Sequence, residues 1–153
     1  MLLWMTPTMD RTQSDVEYAK QIQTKAWVDF TEEEKQAYLQ GLKGSLNVSD
    51  LQRIRNNILL LDDVLELGLI VSAVPELPTK EYFSELITNV GLIRNAYMVH
   101  SYTPPTPESP MNHYQKWNDL EQILNDVYEI LMNNFNYYCG EEIFSGDEIG
   151  LLL

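Results

Sequence analysis

Two histidines, one cysteine and two adjacent acid pairs are the side chains of this chain with the widest chemical range: His100, His113, Cys139, Asp62-Asp63 and Glu141-Glu142. A zinc site draws four ligands from His, Cys and carboxylates at short, recurring spacings. Two histidines flanking a proline-rich stretch do not supply that set, so both are expected at the surface or near helix caps. Cys139 would need a base and an orienting group to act as a nucleophile. Acids nearby and a helix C-terminus both oppose its thiolate, so it is expected to be inert. Neighbouring residues on a helix point about 100° apart. Asp62 and Asp63 therefore do not converge on a glycosidic bond as two catalytic carboxylates must. Gly41-Leu42-Lys43-Gly44-Ser45 has the composition of a phosphate loop without its Gly-x-x-x-x-Gly-Lys-Ser/Thr spacing, and it follows a helix where a strand is required. Helix capping explains it. The expectation is no catalytic, cofactor-binding or metal-ligating residue, and no enzyme.

Bulk properties point the same way. The chain has 153 residues, 44% of them apolar, which suits one folded domain rather than disorder. Formal net charge is −13, from 23 acids against 10 bases. Without clustered Lys and Arg there is little counterion release to gain on a phosphate backbone, so nucleic acid is not an expected partner. No Lys or Arg follows Lys116, while Asp119, Glu121, Asp126, Glu129, Glu141, Glu142, Asp147 and Glu148 do. Their simplest reading is a solvated face; the sharper one is docking to a basic partner or metal-assisted assembly, although acids this scattered do not make a calcium loop. Cys139 is alone, so no intrachain disulfide forms, as fits a reducing cytoplasm. Met1-Leu2-Leu3-Trp4-Met5 lacks a basic start and is too short for a signal or a membrane span. A membrane is not an expected partner either.

The elements that must position these groups read as all-α. Five helices in a compact bundle are expected, the last followed by a non-helical acidic tail. Thr12-Gln13-Ser14-Asp15 has capping-box spacing and opens helix one, which should run to about Trp27 on Val16, Ala19, Ile22 or Gln23, and Ala26. Thr31 caps helix two before three acids, and Gly41 and Gly44 close it. Helix three should open at Ser49 or Asp50, with Leu51, Ile54, Ile58, Leu61 and Leu65 on one stripe. Pro75 and Pro78 break the chain, and Thr79 caps helix four, Lys80 to about Val99, on Phe83, Leu86, Val90, Ile93 and Tyr97. Gly91 inside it suggests that another helix approaches closely. Four prolines from Pro104 to Pro110 form a stiff linker. Helix five should span about Asn112 to Asn136, with Trp117, Leu120, Leu124, Val127 and Leu131 facing the core. The organisation is one domain over 1–153. Three helices pack together in 10–67, a helical hairpin in 79–136 is interrupted by the linker at 103–110, and 137–153 is the tail.

Asp10-Arg11-Thr12-Gln13-Ser14-Asp15-Val16, Trp27, Thr31-Glu32-Glu33-Glu34, Gly41-Leu42-Lys43-Gly44-Ser45-Leu46-Asn47 and Ser49-Asp50-Leu51-Gln52-Arg53-Ile54 follow one another here. Later come the proline linker, Asp119-Leu120-Glu121-Gln122-Ile123-Leu124 and Ser145-Gly146-Asp147-Glu148. Over nearly its whole length the chain resembles small tail-associated structural proteins of tailed phages and prophages of Firmicutes-type bacteria. Where that group ends in aromatic-Ser-Gly-Glu, this chain has Tyr138-Cys139-Gly140-Glu141 and Phe144-Ser145-Gly146-Asp147. The resemblance implies a virion structural protein of the tail, baseplate or tail fibre, made in the host cytoplasm. Its implied partners are other phage tail proteins, and a homo-oligomer would fit tail symmetry; it implies no active site. Apolar residues outside the helices are the expected contact elements: Leu2, Leu3, Trp4 and Met5 at one end, Ile143, Phe144 and Ile149 at the other. The alternative is a small acidic binding module that sequesters a host or regulatory protein.

Overall fold

Capping and apolar spacing place five α-helices in the described residues of the computed structural model, which cover the backbone of 1–140 and the side chains of 1–134. They are α1 (Gln13–Gln23), α2 (Glu32–Gln40), α3 (Val48–Leu65), α4 (Lys80–Ala96) and α5 (Tyr114–Gly140), with a 3₁₀ turn at Trp27–Asp29. No strand occurs among these residues. Capping boxes form at Thr12 and at Thr31. Asp15 accepts from the Thr12 N–H at 2.8 Å and Glu34 from the Thr31 N–H at 3.0 Å, while each Thr hydroxyl accepts in return. Glu34 lies below its usual range because Lys25 donates to it, with the Thr31 N–H adding to the effect.

The boundaries differ where polar side chains intervene. α1 stops at Gln23, short of Trp27, and Thr24 turns its hydroxyl back onto the Gln21 carbonyl. α3 begins at Val48, ahead of Ser49, because Asp50 accepts from the Asn47 N–H and so makes Asn47 the cap. The Asn47 amide meanwhile donates to the Leu42 and Ser45 carbonyls, fixing the turn from α2. α4 ends at Ala96 rather than Val99, and α5 starts at Tyr114 and continues past Asn136 to Gly140.

The buried apolar residues fall into two clusters. α3, α4 and α5 pack pairwise around Leu51, Ile54, Ile58, Leu61, Leu86, Val90, Ile93, Leu120, Ile123, Leu124 and Val127. α1 and α2 close on a separate small cluster of Ala19, Ile22, Phe30 and Leu42. α4 and α5 pack side by side. The proline linker between them is no free spacer. Thr103 and Pro107 are buried, Arg94 donates to the Thr103 and Pro104 carbonyls, and Thr106 rather than a helix lies against Gly91.

Gly41 takes φ +94° at the end of α2, as its capping role requires. Gly44 has another reason to be glycine: a Cβ there would lie 2.0 Å from the Asp15 carbonyl oxygen. Gly44→Ala should cost about 1–3 kcal/mol in urea unfolding by overpacking backbone on backbone. A Cβ at Gly91 would meet Thr106 at an ordinary 3.5 Å. Gly91→Ala should therefore gain up to about 1 kcal/mol of helix propensity. In the core, the Tyr82 hydroxyl has no hydrogen-bond partner among the described residues, and burial raises its pKa. Tyr82→Phe should leave stability unchanged or raise it in the same assay, since it removes an unpaired polar atom at little change of shape.

Candidate functional site

The first eleven residues form an extended arm laid along the seam between α3 and α5, and side chains on both helices hold its backbone. Asn57 on α3 accepts from the Met5 N–H at 3.0 Å and donates to the Met5 carbonyl at 2.7 Å, matching the arm as a neighbouring strand would. Asn56 donates to the Leu3 carbonyl. Asn118 on α5 repeats the two-way pairing at Arg11, accepting from its N–H at 3.1 Å and donating to its carbonyl at 2.9 Å.

Beneath the arm lies a buried ion cluster of two guanidiniums and two carboxylates. Glu121 is 1% exposed, yet every oxygen is engaged. Oε1 accepts from Arg11 at 2.8 Å and Arg53 at 2.7 Å; Oε2 accepts from Arg53 Nε at 2.8 Å and the Thr8 N–H at 2.9 Å. Asp50 completes the charge balance, 2.7 Å from Arg53 and 3.4 Å from Arg11. Burial works against the Arg53 charge, but its bonds to Glu121 and Asp50 outweigh that and hold it above its ordinary pKa. With two charges of each sign and full hydrogen bonding, the cluster escapes the penalty of an unpaired buried ion.

The expected solvated face of α5 is thus only partly one. Glu121 is in the ion cluster, and Asp126, also 1% exposed, accepts from Thr103 at 2.5 Å and Gln122 at 2.6 Å. These two acids are interior fasteners, whereas Glu129 is exposed. The histidines sit apart from any cluster of this kind: His100 stacks on Tyr102, and His113 accepts from the Gln115 N–H where α5 begins. Asp62 accepts from the Leu69 N–H and fastens the chain leaving α3. Among the described residues, no group of three or more His, Cys, Asp or Glu side chains could hold a metal ion.

Of the expected contact residues, Trp4 is already used within the chain. Its ring stacks on Tyr128 with centroids 3.9 Å apart and planes 1° from parallel. Leu2, Leu3 and Met5 remain exposed, Leu3 at 67%. Ile143, Phe144 and Ile149 lie outside the described residues. The arm's start forms one wall of a groove of about 690 Å³, opposite Leu60 and Val64 of α3 and Tyr128 and Met132 of α5. Asp62 and Asp63 also line it, and no Lys or Arg does. A second apolar surface, unforeseen as such, is the tip of the α1–α2 lobe. There Trp27, Phe30 and Tyr38 touch ring to ring, and Val28 and Leu39 stand 85% and 75% exposed. Its signal was present in the aromatic run around the cap of α2.

Comparison with family models, curated proteins and solved structures finds no match to this chain. No helix of the described residues is long and apolar enough to cross a membrane.

Glu121→Gln should cost about 3–5 kcal/mol in chemical unfolding, because two guanidiniums would then share the single buried charge of Asp50. Hydrogen exchange should also quicken at the Met5 and Thr8 amides. Asp63→Asn, at an exposed position, should stay within about 0.5 kcal/mol of the parent.

Proposed function

We propose that this chain is a structural subunit of a tailed-phage particle, working in the tail, baseplate or tail fibre through protein–protein contacts. The observation that supports it most is the composite apolar groove, built from an arm that the fold fastens so that Leu2 and Leu3 face outward beside Val64. Exposed apolar side chains gathered around a fixed concavity suit association with another protein better than solvent. The phage assignment itself rests on the resemblance of the capping segments, the proline linker and the Asp119–Leu124 stretch. This reading gives the chain no catalytic step, no cofactor, no nucleic acid and no membrane partner.

A second reading, a small acidic module that sequesters a host or regulatory protein, is favoured by the way the cations are spent. Arg11 and Arg53 are buried with carboxylates, Arg55, Arg94 and Lys116 donate to carbonyls, and Lys25, Lys35 and Lys43 pair with Glu34, Glu32 and Asp10. Only Lys20 and Lys80 lack such a partner among the described residues.

Particles purified from an induced host should contain the chain at a fixed ratio to the tail proteins by quantitative mass spectrometry. Its absence from particles, with the protein abundant in the cleared lysate, would sink the structural reading and leave the sequestering one.

A further inference from the structure

We infer that the groove between the arm, α3 and α5 is the seat for a basic, apolar-faced helical segment of another protein. The inference rests on the protein–protein reading above and names the chemistry of the partner.

Shape comes first. The groove runs between the C-terminal half of α3 and the far part of α5, walled on its third side by Leu2 to Trp4. A cleft between two helices receives a third by taking apolar anchors spaced three and four residues apart. Val64 and Leu3 are exposed at its rim, while the stacked Trp4 and Tyr128 rings give it a fixed wall. That wall is set in advance by the bonds of Asn56 and Asn57 to the arm, so little ordering is left to binding.

Charge selects the occupant. Asp62 and Asp63 line the groove, and the sequence has no Lys or Arg between Arg55 and Lys80 or after Lys116. Arg11 and Arg53, further along the seam, are neutralised by Glu121 and Asp50. A helix with Lys or Arg flanking its apolar face would find complementary potential here and be steered to it. A second copy, of formal charge −13, or the acidic stretch with Glu141, Glu142, Asp147 and Glu148, would meet like charge.

The test uses the full chain, labelled with ¹⁵N, and two synthetic amphipathic peptides of about 18 residues, long enough for five helical turns. One carries Lys on its polar face, the other Glu, with identical Leu and Ala elsewhere. The Lys peptide should shift the amides of Leu3, Trp4, Val64 and Tyr128 saturably, and bind about tenfold or more tighter than the Glu peptide at low salt. Val64→Asp should abolish the shifts, and Asp63→Lys should weaken binding about fivefold, with circular dichroism confirming both folds. Equal affinity for the two peptides, shifts centred on Trp27 and Tyr38 instead, or indifference to Val64→Asp would overturn the inference. So would a full-chain dimer in light scattering that Val64→Asp dissolves, which makes a second copy the occupant. Groove amides that move on Phe144→Ser without peptide would assign the groove to the chain's own C-terminal segment, and that too would overturn it. A failed peptide test beside a chain still found in particles overturns this inference alone. Groove binding intact in a chain absent from particles overturns the assembly reading alone.

Discussion

A single carboxylate, Glu121, decides where the first eleven residues go. It lies inside the protein with two guanidiniums on one oxygen and a guanidinium and a backbone amide on the other. Removed from water, such an anion is tolerated only when its partners arrive in good geometry. Arg53 comes from α3 and is in place once the two helices pack; Arg11 comes from the arm. Burying Glu121 and Asp50 therefore demands that the arm cross the seam, or one carboxylate would lack its matching charge. The cluster ties the arm, α3 and α5 in the same few ångströms, while Asn118 and Asn57 fix the arm's register by pairing with its peptide groups.

The same solution recurs in two other non-helical stretches, the connection after α3 and the proline linker. A buried segment without a helix or sheet leaves its N–H and C=O groups to be satisfied by something else. Asn89 donates to the Ile70 carbonyl, Arg55 to that of Ser72, and Glu85 accepts from the Ser72 N–H, so the connection after α3 lies fastened across α3 and α4. Arg94 and Lys116 do the same for the proline linker. A three-helix core thus carries long extended straps without strands. The fasteners come from both signs of charge: Arg55, Arg94 and Lys116 hold carbonyls, while Glu85 and the buried Asp126 hold N–H and O–H groups.

How much of this was legible follows from what each signal depends on. Helix starts at Thr12, Thr31 and Thr79 were readable because a cap is a local contract between residues three apart. The start of α3 was not, because Asn47 acts as cap while its amide serves the preceding turn. Helix pairing was also hidden: an apolar stripe says that α3 buries one face, not that the face belongs to α4 and α5. The interior polar residues were legible by position. Asn57 stands three after Ile54 and four before Leu61, Asn89 three after Leu86 and four before Ile93, and Glu121 four after Trp117 and three before Leu124. Each occupies a core position by helical geometry and could have been marked as buried. Their partners could not, since Arg11 lies in a segment with no periodicity at all.

The groove inherits its existence from these contacts. Leu2 and Leu3 have no apolar neighbour in the helical pattern that would hold them in one place, and an untethered arm would sample many arrangements at an entropic cost to any complex. Asn56 and Asn57 remove that freedom near Met5, and the Trp4–Tyr128 stack removes it one residue earlier. The exposed leucines are thereby presented at a fixed position relative to Val64 and the two aspartates. An apolar patch made from a terminal arm is specific only if the arm is rigid, and here rigidity comes from the Asn56 and Asn57 bonds and the Trp4–Tyr128 stack, with the buried charge cluster fixing the chain several residues further on. The apolar surface offered to a partner is thus set by polar side chains that hold the arm's backbone.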